Sequence, residues 1–85
     1  MRQAILDTSF ILSAIRQKID FFHFLEKEGL QPVIPEQTIR ELRGLGASLA
    51  LEILRKNSFR LLKIPGKDAD SAIIAFARKN PETII

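Results

Sequence analysis

The stretch AILDTSFILSAI, Ala4 to Ile15, decides how the chain is read. A short apolar run ends on a single acid, Asp7. Two hydroxyl residues, Thr8 and Ser9, follow, and a second apolar run begins at Phe10. The first run suits a short buried strand over Gln3–Leu6. The second has helical length, from Phe10 to Gln17. The stretch is thus a strand–turn–helix unit with a carboxylate at its corner. A lone aspartate at that corner is explained equally well by helix capping. Whether Asp7 also carries chemistry depends on the partners that the rest of the chain supplies.

The chain has 85 residues, enough for one small domain with a modest core. Hydrophobic residues make up 46%, which excludes a disordered chain. There is no cysteine, so neither a disulfide framework nor a thiolate metal site is available. The N-terminal apolar run is too short for a signal peptide. No segment approaches the ~20 apolar residues that a membrane helix needs. These features fit a soluble protein in a reducing, cytoplasmic compartment. Thirteen basic against ten acidic residues give a net charge of +3. This mild excess permits nucleic-acid binding without demanding it.

The strand–helix alternation continues outward from the opening stretch. Asp20 can cap a helix running to Glu28, with Gly29 just past its end. QPVIP places a second strand around Val33 and Ile34. Pro35 suits the first turn of the next helix, where the helix dipole favours Glu36. That helix runs to Arg43 and is broken by GLG. A further helix spans Ala47–Lys56, with Ala47, Ala50, Leu51 and Leu54 on one face. Phe59–Ile64 is a third strand. Asp68 then caps a helix over Ala69–Lys79, and ETII, Glu82–Ile85, opens a fourth strand. Alternation of this kind predicts an α/β fold with a parallel central sheet covered by helices, a three-layer α/β/α arrangement.

Open parallel sheets build sites where their strands end. Asp7 follows the first strand, Glu41 lies on the helix after the second, and Asp68 and Asp70 follow the third. The topology therefore brings carboxylates from three units to one edge. Clustered carboxylates repel unless a cation joins them. With no cysteine and the single histidine, His23, set among phenylalanines, the fitting ion is hard: Mg²⁺ or Mn²⁺. Each acid also has a structural explanation. Asp7 and Asp68 stand at N-cap positions. Thr38–Glu41, TIRE, has the form of a capping box, but Pro35 and Glu36 start the helix earlier and leave Thr38 inside it. Asp70 lies in a first turn, where the helix dipole alone favours an acid.

Three segments, ILDTSFIL, VIPEQTIREL and DADSAIIAFA, resemble in order and spacing the motifs of PIN domains. That family comprises small α/β metal-dependent ribonucleases, including VapC-type toxins and nucleases of ribosomal RNA maturation. The resemblance implies that Asp7, Glu41 and Asp70 are the catalytic acids and hold Mg²⁺ or Mn²⁺. It implies supporting roles for Thr8 and Ser9, and leaves Asp68 as a cap or outer acid. Arg40, Arg43 and Lys67 adjoin these acids in sequence and are the expected contacts to RNA phosphates. RNA is the implied partner, alongside a homodimer or an antitoxin protein. The resemblance further implies a fourth acid after the strand that ETII begins. Residues 1–85 are accordingly expected to form a single PIN-like domain without its C-terminal part. A non-catalytic PIN-like module that binds RNA or protein is the alternative. Haloacid-dehalogenase-like phosphatases fit less well, because they need a second acid where Ser9 stands. Receiver domains want paired acids where only Asp7 is present.

Overall fold

The computed structural model describes residues 2–81 and 83. Among them the chain runs β1 (Arg2–Ile5), α1 (Thr8–Arg16), α2 (Phe21–Lys27), β2 (Leu30–Pro35), α3 (Glu36–Gly44), α4 (Ser48–Arg55), β3 (Arg60–Leu62) and α5 (Ala69–Lys79). The strands form a parallel sheet in the order β1-β2-β3. Successive strands are parallel, so the ends of β1, β2 and β3 share one edge of the sheet.

Two prolines in the central strand need explaining, since a central strand ordinarily excludes them. Leu6 N–H donates to the Val33 carbonyl, so Val33 faces β1. Its neighbours Pro32 and Ile34 therefore face β3, and Pro35 faces β1. Strand β3 begins opposite Val33, and β1 ends there. The N–H that each proline lacks thus falls where the neighbouring strand has not begun or has already ended. The segment LQPVIP is paired on both sides only at Val33.

Alternation along the strands divides the core into two layers. Ala4, Leu6 and Ile34 face a cluster built with Ile11 and Ala14 of α1, Phe21, Phe22 and Leu25 of α2, Leu42 of α3, and Ala50 and Leu54 of α4. Ile5, Val33 and Leu62 face the other way, against Ile73 and Phe76 of α5. Helices thus lie on both faces of the sheet, in agreement with the expected α/β/α layering. Burial of Val33 and Ile34, both at 0% exposure, contributes about 1.5–3 kcal/mol each.

Helix boundaries follow local chemistry. Helix α1 starts at Thr8 rather than Phe10, because the Asp7 carboxylate accepts from Phe10 N–H and makes Thr8 and Ser9 the first turn. Asp20 caps α2 in the same way through His23 N–H. Gly29, at φ +69°, takes the left-handed position just beyond that helix. His23 is exposed on α2. Strand β3 is shorter than the predicted Phe59–Ile64. Phe59 packs on the larger core cluster, and the Ile64 carbonyl is bonded by Gln37 rather than by a strand. The expected strand Glu82–Ile85 falls, apart from Thr83, outside the described residues; Thr83 itself is not in a strand.

Ile34 is the sensitive point of the larger core. Ile34→Val should lower the urea midpoint, with a loss of about 0.5–1.5 kcal/mol and an unchanged m-value.

Candidate functional site

The chain leaves β1 through Leu6 and turns at Asp7 into α1. It leaves β2 at Pro35 directly into α3, and leaves β3 through residues 63–68 into α5. All three exits lie on the same sheet edge. There Asp7, Thr8, Ser9, Glu41, Asp68, Ala69 and Asp70 line one cleft of about 270 Å³. The acids expected from the sequence are therefore brought together, along with both hydroxyl residues. Arg40, Arg43 and Lys67 are exposed but do not line the cleft. Arg40 pairs instead with Glu36, at 3.6 Å, one turn back on α3.

Glu41 holds the centre. Its Oε1 accepts from the Thr8 hydroxyl at 2.5 Å, and its Oε2 accepts from Ala69 N–H at 2.9 Å. Thr8 is the first residue of α1 and Ala69 the first of α5. One carboxylate thus joins the N-termini of two helices that lie on opposite faces of the sheet. Thr38–Glu41 is not a capping box, as the earlier helix start at Pro35 and Glu36 implies. Helix α3 begins at Glu36, so Thr38 lies inside it, fully buried, and its hydroxyl donates across a long 3.5 Å to the Leu6 carbonyl.

Asp7 and Asp68 are both N-caps as well as cleft residues. Oδ1 of Asp7 accepts from Phe10 N–H at 2.7 Å, and Oδ1 of Asp68 from Ser71 N–H at 2.8 Å. The backbone N–H of Ser71 and then its side chain hold the Asp68 carboxyl below its ordinary value of 3.8; desolvation opposes them, and the charge of Lys67 adds a smaller lowering. Asp70 is exposed in the first turn of α5. The positive ends of α1 and α5 both meet this cleft, and their dipoles offset part of the repulsion among the acids.

The donor set consists of carboxylate and hydroxyl oxygens. That is the chemistry of a Mg²⁺ or Mn²⁺ site. Among the described residues no three acid or histidine side chains stand close enough to enclose an ion as they are.

Sequence reasoning missed Gln37. It is 2% exposed, and its Nε2 donates to the carbonyls of Ile64 at 2.8 Å and Gly66 at 2.9 Å. A signal was present. A step of four back from the buried Leu42 reaches Thr38, and the same step from Glu41 reaches Gln37, a polar stripe beside the buried leucine where a core helix would be apolar. Gly66 was missed as well. A Cβ there would lie 2.9 Å from the backbone nitrogen of Ala72, so the loop can approach α5 this closely only with glycine.

Two outcomes follow from this geometry. Thr8→Val removes the donor to Glu41 Oε1 and leaves a part-buried carboxylate oxygen unpaired. The expected loss is about 1–3 kcal/mol, read from chemical denaturation. The Asp68 carboxyl is held lower in the folded chain than in the unfolded chain. Its stabilisation is therefore complete above 3.8 and is lost as pH falls below that value through the folded one. Asp68→Asn keeps a capping side chain that does not titrate, so it should flatten the acid limb of stability against pH.

No family model matches the chain, and no curated protein does.

Proposed function

We propose that this protein is a divalent-metal-dependent ribonuclease of the PIN type, which hydrolyses RNA phosphodiester bonds in the cytoplasm. The observation that carries the reading is the meeting of Asp7, Glu41 and Asp70 in one cleft. They come from three successive strand–helix units and reach the sheet edge where parallel α/β folds place their chemistry. A cleft of about 270 Å³ is smaller than the ~300–1,000 Å³ of pockets that enclose a whole small ligand. It suits an ion and one phosphate group, with the rest of the RNA lying outside.

In this reading Asp7, Glu41 and Asp70 hold Mg²⁺ or Mn²⁺. A bound ion would supply Lewis acidity at a phosphate and lower the pKa of a water beside it. Asp7 presents its carboxylate while one of its oxygens keeps α1 capped, so the acid is oriented by the helix it begins. Thr8 steadies Glu41 through its hydroxyl, and Ala69 N–H steadies it from the opposite helix. Ser9 adds a polar group to the rim of the cleft. Asp68 fixes the first turn of α5 and so sets where Asp70 stands. Arg40, Arg43 and Lys67, outside the acidic lining, serve as contacts for the RNA backbone. The exposed apolar side chains of Phe10, Ile19, Phe24 and Leu49 offer a surface for a protein partner, whether a second copy or an antitoxin. The substrate RNA belongs to a toxin or to an RNA-maturation role, and both use the same site chemistry.

One observation favours a second reading, a PIN-like module that binds RNA or protein without cutting. Both oxygens of Glu41 are engaged in holding the two helices together, as a purely structural acid would be.

The two readings part on one experiment. The chain is incubated with labelled single-stranded RNA and Mg²⁺ or Mn²⁺. Cleavage that chelator abolishes and that Asp7→Asn reduces at least ~100-fold supports the nuclease. Asparagine caps helices as well as aspartate does, so this variant should stay folded. Binding without turnover by the parent chain supports the module. Equal cleavage by parent and variant sinks the assignment of Asp7.

A further inference from the structure

Gln37, 2% exposed on α3, is a buried polar side chain that no step of the proposed chemistry uses. Its two N–H groups point at two carbonyls, those of Ile64 and Gly66. Its Oε1 is buried with no donor among the described residues. The amide cannot be turned round, because its oxygen would then face two carbonyl oxygens. An amide that leaves its own acceptor unpaired in order to present both donors is held there by what the donors do.

Those donors act on the segment that carries the third unit's acids. Gln37 and Glu41 are one turn apart on the inward face of α3. Gln37 takes the carbonyls of residues 64 and 66, and Glu41 takes the N–H of residue 69. One helix therefore grips the β3–α5 connection at both ends. Gly66, packed on the backbone of Ala72, leaves little slack between the grips. We infer that Gln37 is the positioning residue of the acidic cleft: its side-chain amide fixes the connection so that Asp68 and Asp70 stand opposite Asp7. The inference rests on the proposed cation role of the cleft for its functional half. Leucine would fill the space without holding the carbonyls, and an ionised glutamate has no hydrogen to donate.

The test uses the full chain, Gln37→Leu, and backbone amide NMR. Without metal, exchange at Ala69 N–H should accelerate about tenfold, while Val33 and Ile34 keep their protection. With Mn²⁺ added, paramagnetic broadening should weaken at Asp70 and persist at Thr8. An unchanged rate at Ala69 overturns the inference. So does an equal acceleration at Ala69, Val33 and Ile34, which would mean that Gln37 only adds to global stability. Gln37→Glu, closest in shape, carries the same comparison if the leucine variant does not fold. Mn²⁺ that broadens neither arm of the parent cleft would overturn the cation reading, and the metal-free exchange result would still decide whether Gln37 holds the connection.

Discussion

The architecture depends on the carboxylate of Glu41. Helices α1 and α5 lie on opposite faces of the sheet and share no core. They come together only at the edge where the strands end. There Glu41 accepts from the Thr8 hydroxyl on one side and from Ala69 N–H on the other. A part-buried carboxylate that accepts two hydrogen bonds is costly to strip of either partner. The side chain therefore sets the distance between two helix N-termini, and with it the width of the cleft they enclose.

This arrangement also explains how so many acids coexist in one place. Four carboxylates in a small cleft repel one another. Each is compensated locally. Asp7 and Asp68 cap helices, Asp70 sits in a first turn, and Glu41 takes donors from two first turns. The two helix N-termini supply the N–H groups and partial positive charge that make the cluster tolerable before any cation is considered. Capping and cation binding are then not rival explanations. The same carboxylate can spend one oxygen on its helix and turn the other to the cleft.

Much of this was legible along the chain. Asp7, Asp20 and Asp68 were readable as caps because the cap interaction spans only three residues. The convergence of Asp7, Glu41 and Asp70 was readable because a parallel sheet sends every strand end to one edge. The place of TIRE was legible from the residues just before it. Its pattern fits a capping box, but Pro35 starts α3 early and carries Thr38 into the interior. Gln37 stayed hidden because its partners are 27 and 29 residues away. The extent of β3 was overestimated because that same side chain takes the Ile64 carbonyl.

By itself, the sequence determined the α/β alternation, the capping aspartates and the acids at the sheet edge. All of these follow from interactions within a few residues or from the period of the apolar pattern. Only the tertiary structure decided which carboxylate bridges the two helices, which cations stay outside the cleft, and which buried amide grips the connection before α5. Those choices depend on groups far apart in the chain that meet only once the sheet has formed and α3 has been laid across its edge.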